Sequence, residues 1–242
     1  MKQRLDQYVV AKGLVRSRSQ AESYIRLGDV TVNGQVVTKA GAMVDDTKQV
    51  ALTAREQYVS RAALKLASVA DILKIKFKDI TMLDVGSSTG GFTEYALKHG
   101  AQKVLAVEVG KDQLHPSLHG NPRIELHEQT DIRDFTTDEP IDVVVMDVSF
   151  ISLREILPHV ATLCTSKTDI VAMVKPQFEA ASSSLKHKGV IKNDRMRRDI
   201  LKDFELWVLS NNFIVIDKAD SQVAGSKGNV ERFYKLRLGI KR

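Results

Sequence analysis

The sequence predicts an α/β protein with a doubly wound sheet of seven strands, preceded by a small α+β domain. From residue 60 onward, apolar runs of strand length recur, and segments of helix length separate most of them. Strands that are apolar throughout and alternate with helices are typical of a mostly parallel sheet covered by helices on both faces. The first fifty or so residues combine two helical segments with a hairpin signal, which favours a separate domain.

The N-terminal segment is predicted to form two helices and a β-hairpin. Ser17 or Ser19 can cap the second helix, and Gly28 is placed to end it, because glycine readily adopts the left-handed conformation found after helices. The dipeptide Asn33-Gly34 lies between two valine-rich segments. Both central residues of a tight hairpin turn need positive φ, so this dipeptide predicts the turn.

The strands of the larger domain follow from the apolar runs. They are predicted at Ile80–Val85, Val104–Val109, Arg123–His127, Asp142–Val148, Ile170–Val174, Phe213–Asp217 and Phe233–Leu238. The clearest helix is Asp194–Leu209, which places Ile200, Phe204 and Val208 on one face. The connection between the last two strands is short, so the final strand is predicted to be antiparallel.

The composition is that of a basic protein with an ordinary hydrophobic content. The chain has 242 residues, of which 43% are hydrophobic, and a formal net charge of +6. Its single cysteine, Cys164, excludes an internal disulfide and fits a reducing compartment. No stretch approaches transmembrane length, and the N-terminus lacks the apolar run of a signal peptide. We therefore expect a cytoplasmic protein that does not act at a membrane.

A glycine-containing loop joins the first strand of the sheet to the next helix. Glycines there let the backbone approach a ligand at the carboxyl end of the strand. Ser88 stands where a dinucleotide-binding fingerprint needs glycine, and the loop has no Gly-Lys-Ser/Thr, so neither a dinucleotide site nor a P-loop is predicted. The residues predicted to contact a cofactor here are Asp84, Gly86, Ser87, Ser88, Gly90, Gly91 and Phe92.

Two carboxylates follow the next two strands. Glu108 ends the second strand, where a carboxylate can accept hydrogen bonds from both hydroxyls of a ribose. Asp131 comes after the third strand and can accept a hydrogen bond from an adenine amino group, and Ile132 beside it is also predicted to contact the cofactor. An acid at a strand end is by itself more often a solvated cap. A glycine loop, a ribose acid and an adenine acid in chain order together predict S-adenosylmethionine as the cofactor.

Four charged residues occupy positions where a purely structural role is unexpected. Lys65 lies on the first helix of the larger domain, Asp147 ends the fourth strand, Lys175 ends the fifth and Glu231 begins the last. The fourth and fifth strand ends are neighbours in a doubly wound sheet, so Asp147 and Lys175 are expected to meet beside the cofactor. Asp147 is also predicted to contact the cofactor. Each residue alone is equally compatible with a surface charge. No metal site is expected.

The segment RLDQYVVAKGLVRSRSQAESYIRLGDVTVNGQVV resembles the S-four-like RNA-binding domain. Residues 1–61 contain ten Lys or Arg and six Asp or Glu, and a concentrated basic surface attracts polyanions. The alternative is a helix whose basic face is merely solvated. The resemblance implies that this face docks on folded RNA, and the residues expected to contact RNA are Arg4, Lys12, Arg16, Arg18, Arg26 and Arg61.

The whole chain resembles the TlyA family of ribosomal RNA 2′-O-methyltransferases, whose catalytic domain is FtsJ-like. The segments that carry the resemblance are YVSRAALKL, LDVGSSTGGFTEYAL, VVVMDVSFISL, VKPQFE and GSKGNVE, in this order. It implies a Rossmann-like methyltransferase sheet, and ribosomal RNA or ribosomal subunits as partner without an obligatory protein partner. It also implies residues 1–52 as the RNA-binding domain, 53–59 as a linker and 60–242 as the methyltransferase domain.

The catalytic Lys-Asp-Lys-Glu tetrad of that family falls on Lys65, Asp147, Lys175 and Glu231. The resemblance then implies that a ribose 2′-hydroxyl attacks the sulfonium methyl group in line. Lys175 is the candidate general base; alternatively, the tetrad orients the hydroxyl and water takes the proton.

Two other functions compete with RNA methylation. Some relatives bear the name hemolysin, but the sequence has no amphipathic or pore-forming segment of the kind that a membrane-active protein needs. A non-catalytic RNA-binding or ribosome assembly factor would not require a complete tetrad. The sequence therefore favours the enzyme over both.

Overall fold

The computed structural model describes residues 2–54, 57–182, 189–191, 193–223, 225 and 228–239. A small N-terminal region precedes a large sheet region. Residues 55 and 56 of the predicted linker, and residues 226 and 227 of the GSKGNVE segment, lie outside the described residues.

The N-terminal region combines helices with small antiparallel sheets, and the predicted helices and hairpin are confirmed. Ser17 caps the second helix by accepting a hydrogen bond from the backbone N–H of Gln20, and Gly28 ends that helix with φ of 83°. Asn33 and Gly34 have φ of 52° and 78°, as the tight turn requires. The elements are β1 (Gln3–Arg4), α1 (Leu5–Ala11), α2 (Arg18–Leu27), β2 (Val30–Val32), β3 (Gln35–Val36), β4 (Met43–Val44) and β5 (Val50–Leu52). The sequence does not predict β1, β4 or β5, because such short strands leave no periodic pattern.

The sheet region alternates strands with helices. Its elements are α3 (Arg61–Ala70), β6 (Thr81–Val85), α4 (Gly91–Lys98), β7 (Lys103–Val107), β8 (Ile124–His127), β9 (Val143–Met146), α5 (Leu153–Thr162), β10 (Asp169–Val174), α6 (Pro176–Ser182), α7 (Asp194–Ser210), β11 (Phe213–Asp220) and β12 (Arg232–Leu238). In the described residues, seven strands lie in the order β11-β12-β10-β9-β6-β7-β8. β12 is antiparallel to both of its neighbours, whereas β6 to β10 pair in parallel. The doubly wound sheet with an antiparallel final strand is confirmed.

The winding of the sheet reverses between β6 and β9. β7 and β8 lie on one side of β6, and β9 and β10 lie on the other. In open α/β sheets, ligands bind in the crevice outside the carboxyl ends of the strands at such a switch point. The topology therefore directs attention to the residues that follow β6, β7 and β9.

Alternate residues along the central strands face two hydrophobic cores. One core lies between the sheet and helices α5 and α7 and contains Leu83 and Phe204. The other lies against α3 and α4, contains Met82 and Leu66, and continues into the N-terminal region. The central strands are apolar along their whole length because both faces of the sheet are buried.

The N-terminal region packs against α3 as well as being connected to it by the chain. Tyr24 and Ile25 of α2 belong to the same hydrophobic core as Leu66 of α3. The backbone carbonyl of Tyr58 accepts a hydrogen bond from Gln20 Nε2 at 2.8 Å. The basic N-terminal region therefore lies directly beside the helix that carries Lys65.

Candidate active site

A cavity of about 300 Å³ lies at the carboxyl ends of β6, β7 and β9. This is the location at which doubly wound sheets bind their ligands, and the volume suits a small molecule. The predicted site residues that line it are Gly86, Ser88, Glu108, Asp131, Ile132 and Asp147.

Gly86 brings the loop after β6 close to the end of β9. Its φ is 78°, and a Cβ atom at this position would lie 2.9 Å from the backbone oxygen of Asp147. A side chain is therefore disfavoured by both the backbone conformation and the lack of space. A larger residue at position 86 would force the loop and the end of β9 apart, and would change the shape of the cavity.

Several predicted loop residues pack the loop against the protein and do not line the cavity. Phe92 is buried, with its ring centroid 6.1 Å from that of Phe233. Gly91 lies against α3, where a Cβ atom would come within 2.9 Å of the Cβ atom of Ala62. Gly90, with φ of 83°, caps the start of α4. Their placement follows from helix α4, which turns into the core directly after the loop.

Glu108 is held by two backbone donors. Its Oε2 accepts from the N–H of Ser88 at 2.9 Å, and its Oε1 accepts from the N–H of Gly110 at 2.8 Å. Each carboxylate oxygen has a further lone pair, so the group can still accept hydrogen bonds from two hydroxyls of a ligand. Glu108 thereby joins the glycine loop to the end of β7.

Asp131 forms a two-point ion pair with Arg133. The Arg133 guanidinium donates to it through Nε at 3.0 Å and through Nη2 at 2.6 Å. The hydrogen bonds from the side chain and backbone N–H of Arg133 lower the pKa of Asp131 to about 2. The carboxylate is therefore ionised at neutral pH and can accept a further hydrogen bond from an amino group.

Asp84 is fully buried beneath the glycine loop. Its Oδ2 accepts from Thr93 Oγ1 at 2.6 Å, whereas its Oδ1 has no hydrogen-bond partner among the described residues. Burial raises the pKa of Asp84 to about 7, and the charges of Asp147 and Glu108 add to the rise. The side chain is therefore partly protonated at neutral pH. The Oγ of Ser87 is also buried and without a partner in the described part of the chain.

Asp84→Asn is expected to remove a pH dependence of stability. The native pKa of about 7 exceeds the unfolded value, so the free energy of unfolding should fall as pH rises from about 4 to about 7, by at most about 4 kcal/mol. Unfolding in urea at about pH 5 and about pH 8 measures this. The variant should gain stability relative to the wild type at the higher pH. If the free energies of unfolding of the variant and the wild type differed by the same amount at both pH values, the ionisation of a buried Asp84 would be contradicted.

Lys175 and Asp147 form a short ion pair beside the cavity. The Nζ of Lys175 lies 2.6 Å from Oδ1 of Asp147 and donates a hydrogen bond to Ser149 Oγ at 2.7 Å. Lys175 follows β10 and Asp147 follows β9, which are neighbouring parallel strands. Because Asp147 also lines the cavity, the pair can be reached by a ligand bound there.

Lys65 and Glu231 form a second ion pair, which is almost completely buried. The Nζ of Lys65 lies 2.6 Å from Oε2 of Glu231, and the two side chains are 7% and 3% exposed. Gly225 leaves room for this carboxylate, because a Cβ atom there would lie 2.8 Å from Oε1 of Glu231. Because both charges are removed from water, each depends on the other to offset the cost of its burial.

The two ion pairs lie at adjacent strand ends. β10 and β12 are antiparallel with Val174 opposite Arg232, so the next position of this register brings Lys175 and Glu231 to the same edge of the sheet. Asp147 is tied to the neighbouring strand by its backbone N–H, which donates to the carbonyl of Val85 at 3.1 Å. Two amines and two carboxylates that are distant in sequence are therefore gathered at one edge of the sheet.

Most of the predicted RNA-contacting residues are engaged by other side chains. Such contacts order the basic groups but leave part of each group exposed. Arg4 and Arg18 bond to Asp6, Lys12 to Asp46 and Arg16 to His115, whereas Arg26 is exposed on α2 and Arg61 begins α3.

Arg16 connects the N-terminal region to the segment that follows β7. Its Nη1 lies 2.6 Å from Nε2 of His115. The backbone N–H of His115 donates to the carbonyl of Thr89, in the glycine loop, at 3.2 Å. The N-terminal region thus contacts a segment that touches the glycine loop, a connection that no sequence pattern indicates.

Phe150 is a residue of the cavity rim that the sequence does not predict. Its side chain is 91% exposed, and its backbone has φ of 69°, which is rare for a bulky residue. Its ring centroid lies 5.3 Å from that of Phe178. An aromatic residue next to an apolar strand ordinarily belongs to the core, so the sequence gives no signal of this exposure.

Two family models match the chain. One is described as FtsJ-like methyltransferase and matches residues 58–238; the other is described as S4 domain and matches residues 3–50. A 16S/23S rRNA (cytidine-2′-O)-methyltransferase TlyA of Mycobacterium tuberculosis is 35% identical over 97% of this chain and 89% of that protein.

Two further similar proteins carry hemolysin names. Hemolysin A of Brachyspira hyodysenteriae is 37% identical over 94% of this chain and 97% of that protein. A solved structure from Streptococcus thermophilus, provisionally named a hemolysin, is 32% identical, with a TM-score of 0.72 over 98% of this chain and 89% of that one. Among the described residues, no helix combines the length and apolarity needed to cross a lipid bilayer.

Proposed function

Because the chain belongs to the FtsJ-like methyltransferase family, we propose that it transfers a methyl group from S-adenosylmethionine to a ribose 2′-hydroxyl of ribosomal RNA. The observation that carries the proposal is that the ion pairs Lys175–Asp147 and Lys65–Glu231 lie at one edge of the sheet, where Asp147 also lines the cavity at the switch point. The relative from Mycobacterium tuberculosis, named as an rRNA (cytidine-2′-O)-methyltransferase, supports both the RNA class and the ribose hydroxyl as acceptor.

The proposal divides the work between two domains. Residues 1–52 recruit RNA, residues 53–59 connect the domains, and residues 60–242 carry out methyl transfer. The match of an S4 domain to residues 3–50 supports the first assignment.

The residues at the cavity fit S-adenosylmethionine. Glu108 retains lone pairs for ribose hydroxyls, Asp131 is an ionised acceptor for the adenine amino group, and Gly86 leaves the backbone open to close approach. The buried Oγ of Ser87, without a partner in the described residues, is a polar atom that a ligand can satisfy. When bound, the cofactor supplies an electrophilic methyl group on a positively charged sulfur.

Lys175 is proposed to position the 2′-hydroxyl and to control its proton. In the structure its amine donates to both Asp147 and Ser149. A ribose hydroxyl can replace Ser149 as the acceptor of the Lys175 hydrogen bond. The amine then holds the hydroxyl oxygen through one lone pair, and the other lone pair stays oriented for attack on the methyl group. The hydroxyl proton then leaves to water, or to Lys175 where that amine has first given up a proton. Asp147 keeps the amine in place throughout.

Phe150 is proposed to receive the base of the target nucleotide. RNA-binding proteins hold unpaired nucleotides outside the base stack, and exposed aromatic rings stack on bases of any sequence. Phe150 is exposed, lies at the cavity and contacts Phe178, whose ring lies 6.0 Å from Nζ of Lys175. Phe178 therefore connects the exposed ring of Phe150 to the amine proposed to hold the hydroxyl.

Glu108→Ala is expected to weaken S-adenosylmethionine binding by about 10- to 100-fold, because hydrogen bonds to a charged group contribute about 1.5–3 kcal/mol. Calorimetric titration of the purified protein with the cofactor measures the effect. Glu139→Ala is the matched control, since Glu139 is an exposed carboxylate that pairs with Lys103 at the surface. If the two variants bound S-adenosylmethionine with equal affinity, a role of Glu108 in cofactor binding would be contradicted.

The proposed function is tested by incubating the purified protein with labelled S-adenosylmethionine and ribosomal subunits that lack the modification. Label is expected in the RNA, at a position where the ribose methyl blocks alkaline cleavage of the following phosphodiester. Label on a base or on ribosomal protein would contradict the proposed acceptor. Absence of label with both subunits would contradict the proposed substrate.

A further inference from the structure

Asp6 lies beneath two exposed arginines of the N-terminal region. Its side chain is completely buried, whereas the side chains of Arg4 and Arg18 are 42% and 52% exposed. Arg4 belongs to β1, Asp6 to α1, and Arg18 is the first residue of α2. Three elements of this region therefore meet at one carboxylate.

Asp6 fixes both guanidinium groups by hydrogen bonds. Arg4 donates through Nε at 3.0 Å and Nη2 at 2.9 Å, and Arg18 donates through Nε at 2.8 Å. The backbone N–H of Gln7 donates to the same carboxylate at 2.9 Å, which holds Asp6 itself in place. A guanidinium carries five N–H groups, so both arginines retain donors for another acceptor.

The charge of Asp6 is maintained by its partners. Burial opposes ionisation of the carboxyl, but the hydrogen bonds from Arg4 and Arg18 outweigh this effect and lower its pKa. The carboxylate is screened from solvent by the arginines, so a polyanion that approaches this surface meets guanidinium groups and not the acid. Arg18 Nε also lies 3.6 Å from Oε1 of Glu22. Two carboxylates therefore balance the two guanidinium charges, and what the group offers a phosphate is oriented N–H donors.

We propose that Asp6 is a positioning residue for RNA binding, which holds Arg4 and Arg18 together so that their remaining N–H groups form one preformed site for an RNA phosphate. The inference rests on the proposed function and extends it. Planar guanidinium groups match the geometry of phosphate oxygens, and arginine side chains that are ordered before binding lose less entropy on binding. By its charge alone, an acid in a basic surface would weaken RNA binding. We expect Asp6 instead to strengthen RNA binding, because it orders the two arginines.

The negative charge of Asp6 should weaken RNA binding, whereas its ordering of Arg4 and Arg18 should strengthen it, and this opposition provides the test. Asp6→Asn in the full chain adds one positive charge, yet affinity for unmodified ribosomal subunits is expected to fall about tenfold, because two rotamer-rich side chains are no longer ordered. The dependence of the logarithm of affinity on the logarithm of salt concentration should become shallower, since fewer phosphates are contacted. KM for the subunits should rise, while kcat and the affinity for S-adenosylmethionine should stay unchanged.

Asp46→Asn is the matched control. It adds the same charge in the same region, but Asp46 is an exposed acid that pairs with Lys12 across the surface, with its side chain 68% exposed. This variant is expected to bind the subunits as tightly as the wild type or more tightly. The proposal is overturned if Asp6→Asn binds as well as Asp46→Asn.

A second variant covers the case in which Asp6→Asn does not fold. Arg4→Lys combined with Arg18→Lys keeps both charges but removes the planar donors, and a similar loss of affinity is expected. Unchanged affinity of this folded variant would also overturn the proposal. A wild-type protein that does not methylate the subunits would contradict the proposed function instead, so the two failures are distinguishable.

Discussion

Lys175→Met is expected to lower the kcat of RNA methylation by about 100- to 10,000-fold, the range that a residue controlling proton transfer commonly contributes. Methionine is of similar length but can neither hold a hydroxyl nor take its proton. The affinity for S-adenosylmethionine should be unchanged, because Asp147 is among the residues that line the cavity and Lys175 is not. The loss should therefore fall on the chemical step and leave binding intact.

Single-turnover methylation at saturating subunits and cofactor measures this step directly. Lys103→Met is the matched control, because Lys103 also pairs with two carboxylates, Glu125 and Glu139, but at the surface. Its rate should remain close to that of the wild type. A Lys175→Met enzyme that kept more than about a tenth of the wild-type rate would rule out the proposed role.

Glu231→Gln is expected to lower the free energy of unfolding by about 3–5 kcal/mol, because it leaves the buried amine of Lys65 without a charge partner. Urea unfolding with linear extrapolation measures the change. Glu139→Gln is a suitable control, since it breaks an exposed pair with Lys103 and should cost less than about 1 kcal/mol. If Glu231→Gln also lowered the free energy of unfolding by less than about 1 kcal/mol, water would have to reach the Lys65–Glu231 pair.

The combined variant Lys65→Met with Glu231→Met separates stability from catalysis. Replacing both members of a buried ion pair by apolar residues is often neutral, so most of the lost stability should return. Methyl transfer should not return, because the charges that surround the proposed site of the hydroxyl are still missing. Recovery of the methylation rate together with stability would assign this ion pair a structural role alone.

The larger part of the fold could be predicted from local patterns. The seven strands are found within a few residues of the predicted runs, since a strand buried on both faces must be apolar along its length. The hairpin at Asn33-Gly34 and the helix end at Gly28 were equally predictable, because positive φ selects these residue types. Short strands such as β1 and β4 could not be predicted, since pairing across forty residues leaves no local trace.

The candidate site could be predicted only in part. The sequence predicts a glycine at position 86 and acids at positions 108 and 131 at strand ends, and all three line the cavity. Phe92 is instead part of the core, because helix α4 turns inward directly after the loop. The exposure of Phe150 depends on a left-handed backbone conformation that no residue type in that segment indicates.

The sequence by itself determined the class of fold, the order of its elements and the chemical types available at each strand end, because these depend on periodicity and turn chemistry within short windows. Tertiary structure alone decided which charges meet. Lys65 on α3 pairs with Glu231, the residue before β12, and Asp6 bonds to Arg4 and Arg18 where three elements meet. Contacts of this kind depend on strand register and on the shared core, which bring together residues that are far apart in the chain.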